Sequence, residues 1–203
     1  MQPVLLSTAY LPNISYFYYL LNSEIVFIEN CENFTKQTYR NRCEILSANG
    51  KLDLTIPLQK NATKELISEK KISYSSNWQH QHWQAIVSAY KNAPYFDYFE
   101  EEFKYFYEEQ FELLTDYNSE LIKLILKILR INKRINFTDK FETNFDGSDL
   151  RNAISPKAKM EMTGVPESPY YQVFSDKHGF VKNLSVIDLL FNKGLETKDY
   201  LSL

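Results

Sequence analysis

Apolar residues recur every fourth position in the stretch from Asn77 to Phe99. Trp78, His82, Ile86 and Tyr90 share one face of a predicted helix, while His80, Gln84 and Val87 point elsewhere. Ala93-Pro94 stops it. A second helical run starts at Pro94, with Phe96, Phe99, Phe103 and Phe106 as a core stripe and Glu100, Glu101, Glu102, Glu108 and Glu109 on the solvated face. A third helix is predicted over Ser119 to Ile131, capped by Asp116 or Asn118, with Leu121, Leu124, Ile125, Ile128 and Leu129 forming a wide apolar face.

The start of the chain has a different period. Val4-Leu5-Leu6 and the run from Glu24 to Glu29 are short apolar strands. Between them, Pro12-Asn13 opens a segment with helical spacing at Ile14, Phe17 and Leu21. Strand, helix, strand is the βαβ pattern, which predicts a parallel pair with its ligand side at the carboxyl ends. Tyr10, Leu11 and Pro12 fall at one such end, Glu29-Asn30 at the other.

Asn49-Gly50 then signals a type I′ hairpin between Arg42 to Ser47 and Leu52 to Leu58. That turn predicts Ala48 opposite Lys51, Ile45 opposite Leu54 and Cys43 opposite Ile56 on the core face. Leu46 with Asp53, Glu44 with Thr55 and Arg42 with Pro57 take the other. If the strand reaches back to Phe34, the same parity puts Lys36 and Arg40 beside Arg42, and three cations line one face. Guanidinium forks match phosphate or carboxylate oxygens, so this face is a candidate anion site; a solvated sheet face is the alternative.

Short strands are predicted at Lys71 to Tyr74, Asn136 to Phe141 and Tyr170 to Phe174, and Ser185-Val186-Ile187-Asp188 opens a last helix closed by Lys193-Gly194. Order signals fade across 142–169, where Gly147, Gly164 and several prolines predict a mobile loop or a lid carrying Lys157 and Lys159. The fold class is therefore α/β: a βαβ start, a mixed sheet including a hairpin, and a cluster of helices in the middle of one domain spanning 1–203.

Composition narrows the function classes. A net charge of -3 gives no general electrostatic grip on nucleic acid or an anionic membrane, so neither is an expected partner. No apolar run approaches a membrane span and no basic leader opens the chain, which points to a reduced, cytoplasmic protein. Cys31 and Cys43, without a CxxC pair or clustered histidines, make no zinc site. The common nucleotide and protease signatures are absent, and no cofactor follows from the sequence. His82, on an aromatic and aliphatic stripe, is either an acid or base tuned by burial or a core histidine satisfied by a partner.

The landmarks in their order resemble the WbqC-like protein family. They are Tyr10-Leu11-Pro12; Glu29; Lys36 with Tyr39 and Asn41-Arg42; Leu54-Thr55-Ile56-Pro57; Trp78 with His82; Tyr90-Lys91 with Ala93-Pro94-Tyr95-Phe96; Asp116 and Asn118; and the run from Asn183 to Asn192 with Gly194. Ser7-Thr8 stands where the family usually has Gln-Pro. The resemblance implies a role in bacterial surface polysaccharide biosynthesis of the O-antigen type: a transferase that modifies a nucleotide-activated amino sugar with an acyl or aminoacyl group. In that reading Lys36, Arg40 and Arg42 hold phosphate or carboxylate, Asn41 hydrogen-bonds substrate, and His82 is the general base assisted by Glu29. Tyr10, Trp78, Tyr90 and Asp188 complete the expected ligand surroundings. The layout is also similar to that of HUP-type adenylyltransferases. The alternative function is a noncatalytic module that uses exposed Tyr and Phe to bind a sugar or a partner.

Overall fold

The computed structural model describes residues 2–60, 65–157 and 162–202. Strand β1 (Val4–Ser7), helix α1 (Ile14–Asn22) and strand β2 (Val26–Glu29) form the expected βαβ unit, with Val4 opposite Val26 and Ser7 opposite Glu29 in a parallel ladder. Val4, Leu5 and Leu6 are fully buried, as a parallel strand covered on both faces requires. Asn13 caps α1 by accepting from the Tyr16 amide at 2.9 Å.

The hairpin of β3 (Arg42–Ser47) and β4 (Gly50–Thr55) forms a two-stranded sheet of its own. Its register differs by two residues from the expectation: Cys43 faces Leu54, Ile45 faces Leu52 and Arg42 faces Thr55. A type I′ turn needs positive φ at both central residues. Here the loop is Ala48-Asn49; Asn49 keeps an ordinary φ, and Gly50 takes φ +101° at the first strand position. A shift of two preserves strand faces, so Cys43, Ile45 and Leu54 still point to the core. The strand does not extend back to Lys36. Gln37 has φ +58°, and Thr38 Oγ1 donates to Thr35 O at 2.8 Å, so 35–38 is a turn and the predicted three-cation face does not form.

Helices α2 (Trp78–Tyr90), α3 (Phe96–Glu108) and α4 (Leu114–Ile128) make the central cluster. On α2 the inward stripe is Trp78, His82, Ile86 and Tyr90, joined by Ala89, with His80 exposed. Helix α4 begins a turn earlier than Asp116 or Asn118 would dictate. Tyr117 packs edge-on to Trp78, Phe106 and Phe111, and that burial draws the preceding residues into the helix.

Strand β5 (Ile135–Phe137) joins β2, and β6 (Ser148–Asp149) joins β1, both parallel, giving the order β5-β2-β1-β6. Thus the stretch predicted to lack structure contains an edge strand. Gly147 permits it: with φ +153°, its missing Cβ would lie 2.4 Å from the Pro3 carbonyl oxygen. Lys159 lies outside the described residues, and Lys157 donates to Gln37 Oε1 at 2.7 Å.

Tyr170 to Phe174 is not a strand. The Gln172 side chain donates to Val181 O and accepts from Val181 N, both at 2.9 Å, taking the place of a ladder. Helices α5 (Ser175–His178), α6 (Val186–Lys193) and α7 (Thr197–Leu201) close the chain. One buried cluster runs from β1 through α1, the hairpin and α2 to α6.

Candidate functional site

The sheet order places a reversal beside β1. The chain passes outward from β1 to β2 and β5, then returns to β1's other edge as β6. In open parallel sheets, ligands bind at the carboxyl ends of the strands where the order reverses. A cleft lies there, with Ser7 at the end of β1 and Thr8 and Ala9 just after it, Arg151 and Ile154 after β6, and Arg40 across from them. Its free space is about 10 Å³, the size of one water.

Buried charge concentrates around this cleft. Glu29, at the end of β2 and wholly buried, accepts from Arg151 Nη1 and Thr138 Oγ1, each at 2.7 Å, and from the Cys31 amide at 2.9 Å. Arg151 also donates from Nε and Nη2 to Asp149, at 3.0 and 2.6 Å, and packs over the Phe141 ring. Hydrogen bonds and charge from the guanidinium hold the Asp149 carboxyl below its usual range.

Arg40, equally buried, forms a fork with Glu32, Nε to Oε1 at 2.7 Å and Nη2 to Oε2 at 2.6 Å. Among the described residues its Nη1 has no acceptor. From α4, Asn118 Nδ2 donates to Thr8 Oγ1 at 3.0 Å and to Arg40 O at 2.8 Å, while its buried Oδ1 has no partner among the described residues. Arg151, Glu32, Thr138 and Asn118 were not among the residues expected to face a ligand. Only Asn118 carried a family signal.

His82 belongs to a separate network. Its ring stacks on Tyr10, meets Trp78 edge-on, and shares a 3.1 Å hydrogen bond from Nδ1 with the Tyr10 hydroxyl, which is 2.9 Å from the Tyr107 hydroxyl. Burial pushes its pKa down to about 4, a shift only partly offset by the Thr55 backbone, so the imidazole is neutral at pH 7. It is 6% exposed, and no carboxylate contributes to that shift. Trp78 is likewise buried, and its Nε1 has no partner among the described residues.

The remaining expected residues scatter. Lys36 is exposed in the turn before β3. Arg42 pairs with Asp53 at 3.1 Å on the half-exposed hairpin face, and Asn41 gives its side-chain amide to Ile56 O at 2.8 Å. Asp188 does not cap α6; Ser185 does, accepting from the Ile187 amide. Instead Asp188, 1% exposed, accepts from Tyr170 Oη at 2.6 Å and Gln172 Nε2 at 2.9 Å. Burial raises its carboxyl to about 6, against the lowering effect of those donors. The Tyr90 hydroxyl reaches toward the same carboxyl without closing a hydrogen bond.

The start of α1 bears on nucleotide chemistry, because a free helix N-terminus after β1 is a ready phosphate site. Here its amides are spent: Ile14 N donates to Leu184 O, Ser15 N to Asn183 Oδ1, and Tyr16 N to Asn13 Oδ1. Asn183 adopts φ +56° to reach that position. This arrangement speaks against a HUP-like phosphate cradle.

The geometry defines an α/β protein with a parallel sheet and a charged cleft at its switch point. The chain belongs to the WbqC-like protein family, whose profile matches residues 8–165. It is also 28% identical over 218 residues, covering 95% of this chain and 94% of the relative, to the uncharacterized protein Rv1507c of Mycobacterium tuberculosis. No solved structure matches it. Among the described residues no helix is long and apolar enough to cross a membrane.

Proposed function

We propose that the chain is a transferase of bacterial surface polysaccharide assembly. It modifies a nucleotide-activated amino sugar with an acyl or aminoacyl group over the carboxyl ends of β1, β2 and β6. The observation that carries this reading is the pair of buried arginines, Arg40 and Arg151, locked by Glu32 and Glu29 beside the switch-point cleft. Buried ion pairs gain little stability over apolar packing, so two of them at a strand-end crevice support reading it as a functional centre. Arg40 offers its free Nη1 to an anionic group of the substrate. Glu29 aims Arg151. His82, neutral at pH 7 and linked through Tyr10 to the turn after β1, takes the proton released as the sugar amine or hydroxyl bonds to the acyl carbon and the bond from that carbon to the acyl donor's carrier breaks, the carrier leaving with the electron pair.

A second reading, a noncatalytic sugar- or partner-binding module, draws support from the sealing of His82 among Tyr10, Trp78 and Tyr107. A thermal-shift screen with nucleotides, nucleotide-activated amino sugars, amino acids and acyl-coenzyme A separates them. A ligand at about 100 times its Kd adds about 2.7 kcal/mol, which raises the melting temperature of a chain this size by roughly 5–10 °C. A shift with a nucleotide sugar supports the transferase. No shift with any member of the set favours the module.

A further inference from the structure

A larger cavity, about 460 Å³, lies where α3, the end of α4 and the turn after α6 meet, and shares no residue with the strand-end cleft. That volume falls in the range of small-molecule sites. Its walls are Tyr95, Tyr98, Phe99, Leu124, Ile128 and Leu195. Tyr98 is 74% exposed although it borders an apolar hollow. Gly194 backs one wall: a Cβ there would lie 2.6 Å from the Tyr95 ring, so only glycine lets that ring pack against the turn.

Charge at the rim is asymmetric. Lys193 pairs with Glu196 at 3.1 Å, which leaves Lys127 and Arg130 without an acidic partner among the described residues, and Glu102 as the unpaired carboxylate of the lining.

Arg130 also occupies an unusual backbone position. Helix α4 ends in a Schellman motif, with Arg130 N donating to Lys127 O at 3.0 Å and Ile131 N to Leu126 O at 2.9 Å. The residue at that point must be left-handed, and glycine is its usual occupant; here it is arginine at φ +56°. The strain places a long cation at the mouth of the hollow, and local strain retained beside a cavity points to use.

We propose that this groove is a second ligand site, one that takes a small amphipathic anion: an aromatic or acyl body against Tyr98, Phe99 and Leu124, and a carboxylate or sulfonate-like head held by Arg130 and Lys127. It goes beyond the strand-end reading and stands independently of it. The probe is 8-anilinonaphthalene-1-sulfonate, titrated by fluorescence against the full chain, with octanoate and octylamine as competitors. Saturable one-to-one binding displaced by octanoate and not by octylamine is the expected result.

Arg130→Gly separates binding from folding. It relieves the left-handed strain, so the variant should melt no lower than the parent and up to roughly 2–4 °C higher, while dye affinity falls about tenfold. Lys127→Gln should weaken binding in the same direction, and Glu102→Gln should strengthen it. Dye affinity unchanged in Arg130→Gly, or equal displacement by octylamine, overturns the proposal. So does a melting temperature lowered by Arg130→Gly. A concentration-dependent dimer in sedimentation, dissociated by Tyr98→Glu, would make a second copy the occupant and likewise refute it.

Discussion

Replacing His82 by glutamine tests whether the centre of α2 is held by a neutral imidazole. The unfolded chain protonates this histidine near pH 6.5, whereas the folded one does so only at about 4. Because the folded pKa is the lower one, the unfolded state binds the proton first, and stability present above pH 6.5 is lost as pH falls toward 4. A gap of about 2.5 units at 1.36 kcal/mol each makes the loss roughly 3 kcal/mol. That is a large share of the roughly 5–15 kcal/mol typical of a whole domain. Glutamine keeps a polar group toward the Tyr10 hydroxyl and cannot titrate. Urea unfolding at pH 7, 6, 5 and 4.5, followed through tryptophan fluorescence, to which Trp78 in contact with the ring contributes, gives the stability at each pH. Most of that loss falls within this range, so the wild type should lose roughly 2–2.5 kcal/mol more than His82→Gln between pH 7 and 4.5. His80→Gln, altering an exposed residue on the same helix, should follow the wild type. Equal pH slopes for His82→Gln and the wild type would refute the reasoning.

Two further outcomes follow from the charged groups. Glu29→Gln breaks a pair whose side chains are 0% and 7% exposed and should cost about 3–5 kcal/mol in denaturant unfolding at pH 7, whereas Arg42→Ala, from a half-exposed pair, should cost about 1 kcal/mol or less. Asp188 runs opposite to His82: its folded pKa of about 6 exceeds the unfolded 3.8, so the folded state binds the proton first and stability falls as pH rises through that window, by about 3 kcal/mol. Asp188→Asn should abolish this fall, so that its stability relative to the wild type rises between pH 4 and 6.5; a constant difference across that range would count against it.

The βαβ start and the inward stripe of α2 were legible because both rest on local periodicity. Val4 to Leu6 reads as a buried strand, and Trp78, His82, Ile86 and Tyr90 read as one helix face, without knowledge of anything distant. The hairpin register failed on a single φ. Asn49-Gly50 permits a type I′ turn, but Asn49 did not take the positive φ that the turn demands. The candidate site was half legible. Glu29 lies at the end of β2, where the βαβ pattern put it, but Arg40 reaches the cleft from the turn before β3 and not from a strand face, and Arg151 reaches Glu29 across 122 residues of sequence, from just beyond a strand two residues long that no pattern announces. Lys36 and Arg42 were grouped with Arg40 by strand parity, and the left-handed Gln37 breaks that parity. Asp188 sits at a helix start, yet its partners Tyr170 and Gln172 come from a segment that sequence alone reads as a strand.

In the proposed transferase, Arg40 anchors an anionic substrate beside the switch point. Calorimetric titration of a nucleotide-activated amino sugar into the wild type and into Arg40→Lys tests it. Lysine keeps the charge toward Glu32 but loses the planar fork and the free Nη1. Measurable binding to the wild type, weakened about tenfold or more in a folded Arg40→Lys, is the predicted result. Equal affinity in the two proteins, or no heat with the wild type, would contradict it.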